Sequence, residues 1–368
     1  MRIRSWVFLF ITLLLTLSHS QALASVPYYF TDLGDLGGTS SGARGINNAG
    51  QVVGQAQRSG GYYHAFAWDQ GSGMTDLGDL GGKDSEAWAI NGSGQVVGWA
   101  QDSIYSPRAF LWEQGSGMVD LGDFGGAGAQ AFGLNDSGQV VGLSDYGTYF
   151  HAFLWRQGSG MSDLGDLGGT YSSAIGINEG GQVVGAAENG DHDWRAFLWQ
   201  QGSGMVSLGT LGGASSGASD INDVGQVVGE SSLGGDYYFH AFLWEEAGGM
   251  SDLGDLGGKN SEAWDINDRG QVVGWAQNAD LEARAFLWEN GVMTNLNNLS
   301  FVGDANDGWI FTEAYAVNDL GQIVGVAERE GQDYSHAFLL TPSPGLPAFV
   351  LVGAAPLVGG LVRTLRRK

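Results

Sequence analysis

The chain has 368 residues, 64 of them glycine, and its 40 acidic residues outnumber 16 basic ones to give a net charge of −24. Glycine does not recur at every third position, which excludes collagen, and the absence of cysteine excludes a disulfide-stapled scaffold. The acidic balance excludes a nucleic-acid partner, whose phosphates need a basic face, and an aromatic content of 11% is too high for general disorder, so an acidic, glycine-rich, all-β protein is expected.

The N-terminus reads as an export signal. Arg2 and Arg4 precede an apolar run at 6–17 that only threonines interrupt. Ala22 and Ala24 then place small residues at a cleavage site, which predicts a signal peptide over 1–24.

The body, 25–341, is one unit repeated seven times. Three landmarks recur in fixed order. The first is D-L-G-D-L-G-G, at 32–38, 76–82, 120–126 (with Phe124), 163–169 and 252–258, with variants at 207–213 and 295–300. The second is N-x-x-G-Q-V-V-G, whose asparagines Asn47, Asn91, Asn135, Asn178, Asn222, Asn267 and Asn318 are spaced 44, 44, 43, 44, 45 and 51 residues apart. The third is A-F-L-W after His or Arg, around Phe66, Phe110, Phe153, Phe197, Phe242, Phe286 and Phe338.

Each unit predicts four short strands, in the second unit 74–77, 87–90, 95–99 and 109–112. No segment carries a helical apolar period. Four strands in about 44 residues match a propeller blade, so a seven-bladed β-propeller is the expected fold, with a β-solenoid as the alternative. Residues 28–33 and 337–340, at the two ends of the array, are placed to pair and close the ring.

Residues 346–362 are apolar and are followed by Arg363, Arg366, Arg367 and Lys368. Their length and flanking charge predict a C-terminal transmembrane helix with its basic end in the cytoplasm, within a terminal segment of 342–368. Setting both basic ends aside leaves a body of 10 basic and 40 acidic residues, near −30.

Two resemblances follow from these residues. The tail, with Pro342-Ser343-Pro344 before the apolar run and the arginines, resembles the PEP-CTERM sorting signal of bacterial surface proteins. It implies processing by sorting machinery. The three landmarks together resemble the HAF family of extracellular repeats. The tripeptide stands at 64–66, 151–153, 240–242 and 336–338, with Arg108, Arg195 and Arg284 replacing His in alternate units. That resemblance implies a secreted or surface-bound repeat protein and no particular activity.

Several motifs invite chemistry. The His/Arg alternation argues for a structural donor, since Arg is neither a general base nor a usual metal ligand. A D-L-G carboxylate is its expected partner. The paired aspartates are expected to form turns, because calcium needs six to eight converging oxygens. The G-x-S-x-G matches at 38–42 and 213–217 lack the strand-to-helix context of a nucleophile elbow. No cofactor or metal is expected.

The segment between V-V-G and A-F varies from unit to unit. It carries Tyr62, Tyr63, Tyr105, Tyr149, Trp194, Tyr237 and Tyr238, several of them beside acids. Aromatic faces with adjacent hydrogen-bonding groups suit sugar rings, so these seven are the candidate ligand-binding residues. The function expected is non-enzymatic binding of an extracellular ligand such as a polysaccharide or matrix component, at the cell surface or beyond it. The alternatives are a structural or adhesive surface protein and an enzyme acting on glycans or esters.

Overall fold

Among the described residues, short β-branched and aromatic runs punctuated by glycine turns become 28 antiparallel strands, β1 to β28, in seven four-stranded sheets. The computed structural model describes residues 26–235, 238–302, 308–329 and 331–344. Blade 1 runs outward from the axis as β2 (Gly37–Ile46), β3 (Val52–Arg58), β4 (Tyr63–Asp69) and β5 (Gly73–Gly78). The innermost strands of the next six blades are β6 (Gly81–Ile90), β10 (Ala129–Leu134), β14 (Gly168–Ile177), β18 (Gly212–Ile221), β22 (Gly257–Ile266) and β26 (Trp309–Val317). Neighbouring inner strands contact one another all the way round, including β2 with β26. The array is therefore a closed seven-bladed propeller, and the solenoid alternative falls.

The seventh blade is built from both ends of the array. Behind β26 come β27 (Ile323–Arg329), β28 (Ser335–Pro342) and then β1 (Tyr28–Asp32), with Tyr28 opposite Pro342 and Asp32 opposite Phe338. The expected pairing of the two ends is present. It also sets the phase of the repeat. Each D-L-G-D-L-G-G segment leaves the outer strand of one blade and enters the inner strand of the next. The sequence unit thus straddles two blades, and 74–77 belongs to blade 1 rather than blade 2.

The core is divided among the seven blade junctions, one cluster at each. Between blades 1 and 2, for example, Val53, Ala65 and Leu77 pack against Ala87, Val96, Ala100 and Phe110. The phenylalanine of every A-F landmark is fully buried, each worth roughly 1.5–3 kcal/mol of burial.

One expectation is corrected. The helical piece among the described residues is a single 3-10 turn, Leu296–Asn298, and none of their helices is long and apolar enough to cross a membrane. The C-terminal transmembrane helix is not part of this all-β fold, and 346–362, to which it was assigned, lies outside the described residues. An apolar run establishes hydropathy, which does not by itself establish a helix.

Candidate functional site

The N-x-x-G hairpins and the variable hairpins lie at opposite ends of the strands. The antiparallel order therefore puts all variable hairpins on one face of the ring, with the D-L-G crossovers. Parallel bridges such as Leu80 to Asp102 tie the two together. The candidate aromatics share this face but gather in separate groups at blade junctions. Lys83 donates to the Tyr62 hydroxyl at 2.8 Å and lies 4.7 Å from the Tyr62 ring centre and 5.7 Å from that of Tyr105. Tyr149 meets Tyr171 edge-on, and Phe150 stacks on Trp194. Tyr238 accepts from Lys259 at 2.8 Å. Tyr63 is half-buried in β4, and Tyr237 lies outside the described residues.

The landmark polar residues are structural. His64, His151, His240 and His336 each pair through Nδ1 with the first aspartate of a D-L-G segment, at 2.8–2.9 Å. Arg108 takes Asp102 and Asp123, whereas Arg195 and Arg284 turn to Asp193 and Glu282. The aspartates themselves accept the amide two residues on, as Asp76 does from Gly78 at 2.8 Å and Asp79 from Gly81 at 2.6 Å. Among the described residues no group of three or more potential ligands is placed to hold a metal. Ser40 and Ser215, from the two G-x-S-x-G matches, lie within inner strands.

The principal cavity, about 610 Å³, lies on the ring axis. A β-bulge re-aims one side chain of every inner strand into it. In each blade the register skips one residue after an alanine, as between Ala87 and Ala89 or Ala263 and Asp265. The skipped residues are Arg44, Trp88, Phe132, Ile175, Ser219, Trp264 and Tyr315, and all seven line the cavity.

Five of them form a continuous wall. Trp264 stacks on Tyr315 at 4.0 Å and 11°. The Arg44 guanidinium lies 3.9 Å from the Tyr315 ring centre and 5.0 Å from that of Trp88, which meets Phe132 edge-on at 5.4 Å. Glu86 fixes Arg44 through Nε at 2.8 Å.

Carboxyl groups gather on the blade 5 and 6 side. Asp220, Glu230, Glu262 and Asp265 line the cavity there, while Arg44 is the one cation among the described lining residues. Asp220 and Asp265 accept the amides of Ile266 and Val317, at 3.1 and 2.6 Å. Burial, and then the Asp220 carboxylate, raise Asp265 well above the usual carboxylate range. Burial, and then Glu262, push Glu230 up to about 7. A second cavity of about 330 Å³ runs to the rim past Trp194, Ser232 and Phe239, and it shares Ala186, Gly217 and Glu230 with the first. At the opposite mouth each repeat asparagine donates Nδ2 to the backbone carbonyl of the next, from Asn47 round to Asn318 and back, at 2.9–3.2 Å.

Of the six described sequence candidates, Trp194 is the one that lines either of these two cavities. The bulged residues were missed. Their signal was present in the segment before each repeat asparagine, S-x-A-x-x-I-N in five of the seven units, where the residue after an invariant alanine is Arg, Trp, Phe, Ile, Ser, Trp and Tyr in turn.

No family model matches the chain, and no curated protein does. Among solved structures it is similar to an oligogalacturonate lyase in complex with manganese, at 12% identity and a TM-score of 0.50 over 87% of this chain and 98% of that one. It is also similar to a puromycin-hydrolysing peptidase of Mycobacterium tuberculosis, at 12% and 0.50 over 83% and 53%. TolB from Acinetobacter baumannii follows at 10% and 0.48, over 66% of this chain and 61% of TolB. The chain thus spans less than two thirds of TolB and about half of the peptidase. The likenesses at a TM-score of 0.50 show the propeller fold and nothing finer.

Proposed function

We propose that this is a non-enzymatic exported protein that binds an extracellular polysaccharide in its axial channel. The observation that carries this reading is the wall of bulged residues, in which the half-buried Trp264, with one ring face on Tyr315, stands beside carboxyl groups in one concave site. Sugar rings need that combination of an apolar face and polar edges. The signal-like N-terminus and the resemblance to HAF repeats support export to the cell surface or matrix. A glycan array with the purified protein tests it. Binding is expected, with at least tenfold loss in Trp264→Ala and in Trp194→Ala. Binding to no glycan, or binding indifferent to both variants, overturns it.

A hydrolytic reading has one observation in its favour. A carboxyl raised to about 7 over a cavity, as Glu230 is, is what a general acid requires. Its neighbour Glu262, however, is engaged by the Trp275 indole at 2.9 Å. Release of reducing ends from the bound glycan would move the assignment to an enzyme.

A further inference from the structure

Blade 5 departs from the pattern of its neighbours. In blades 2 and 6 the inner strand carries Glu86 or Glu262, and the strand behind carries Trp99 or Trp275 directly opposite. Each indole donates to its glutamate, at 3.2 and 2.9 Å. In blade 5 the inner strand has Gly217 and the strand behind it, Val227–Leu233, has Glu230 opposite. Glu230 therefore has no indole partner, and no side chain or amide among the described residues hydrogen-bonds its carboxylate.

Blade 5 also has Ser219 where four of the other six blades place an aromatic ring. The two small residues leave a notch in the channel wall. A Cβ added at Gly217 would meet, within 4 Å, only the Cβ of Ala186, at 3.8 Å. At this notch the axial cavity and the rim cavity border the same residues, Ala186, Gly217 and Glu230, with Trp264 on the axial side and Trp194 and Phe239 on the rim side.

We infer that this bent site takes a cationic amino sugar chain, one ring against Trp264, another against Trp194, and an ammonium group between them at Glu230. The inference rests on the glycan reading above and specifies its ligand class. Glu230 faces Glu262, with Asp220 and Asp265 on the same side of the channel, and the one lining cation, Arg44, is held by Glu86. A uronate there would add a like charge to desolvated carboxylates. A neutral hydroxyl would leave their repulsion in place. An ammonium supplies a charge-assisted hydrogen bond to a carboxylate that otherwise has none.

Calorimetric titration at pH 7 with three hexamers tests it: β-1,4-linked glucosamine, its N-acetylated form, and galacturonate. The glucosamine hexamer is expected to bind at least tenfold more tightly than the N-acetylated one, and galacturonate most weakly. Glu230→Gln should bring the first two within twofold of each other by weakening only the glucosamine hexamer, with its melting temperature no lower than wild type. Gly217→Val, which fills the notch, should weaken both at least tenfold. Equal or tighter binding of the acetylated or acidic hexamer by the wild-type protein overturns the cationic ligand and leaves the glycan reading standing. Failure of these three and of every glycan on the array overturns both.

Discussion

Within N-x-x-G-Q-V-V-G the two glycines answer to different physics. Gly94 has φ +81°, the left-handed turn region that glycine enters without steric cost. Gly98 has no such φ. A Cβ there would lie 2.0 Å from the Glu86 carbonyl oxygen, because Gly98 pairs with Ala87 of the inner strand at the start of the bulge. Gly98→Ala should therefore cost about 3 kcal/mol or more, and Gly94→Ala about 1 kcal/mol. Calorimetric unfolding measures both, and a Gly98→Ala protein as stable as wild type would remove the close-approach account. Sequence showed that both glycines recur. It showed the reason only for the turn glycine, because a turn is local and the pairing of a bulge across two strands is not. The same limit governs the polar landmarks. His64 and Asp76, twelve residues apart on adjacent strands, were legible as partners, whereas the Arg44 contact with Tyr315 was not.

At the scale of elements, ring closure depends on β1. It is the outer strand of the seventh blade, held by backbone pairing to β28 and by Asp32 against His336 at 2.9 Å. Burial alone would raise the Asp32 carboxyl, but the His336 and Gly34 hydrogen bonds outweigh it and hold it low. The Asp32 hydrogen bond raises His336 against the opposing effect of burial. The stability from Asp32 is present above its unfolded value near 3.8 and fades as pH falls through the lower folded one. That from His336 is present below its unfolded value near 6.5 and fades as pH rises through the higher folded one. The pair thus acts fully between about pH 4 and 6.5. The melting-temperature gap between wild type and His336→Gln should be widest near pH 5.5 and narrow by pH 8. A gap independent of pH would exclude the ion pair as a clasp. The sequence placed the two ends to pair, since both carry strand patterns. It left the phase of the blades open, because four strands in a cyclic order can be cut at any of four points.

The whole molecule is a ring with a large excess of negative charge. A body near −30 repels itself, and screening that repulsion should favour the compact state. Raising NaCl from 10 mM to 0.5 M is expected to raise the melting temperature by several degrees. A flat or falling response would show that local ion pairs, such as Arg44 with Glu86, outweigh the overall field. Opposing the repulsion, the asparagine ring links all seven blades with hydrogen bonds that span 43 to 51 residues, and from Asn318 to Asn47 span 271.

Sequence by itself determined the number of blades, the strand content, the turn chemistry and the structural role of the aspartates. Each of these is written in residues two to a dozen positions apart, or in the period of the repeat. Tertiary structure alone decided the channel and its lining. One residue from each blade meets the other six only when the ring closes, and a bulge must first turn that residue inward. The variable hairpins drew attention because whole segments differ there. The channel is written instead in single positions about 44 residues apart, and only the packing of blade on blade brings Trp264, Glu230 and Trp194 near one another.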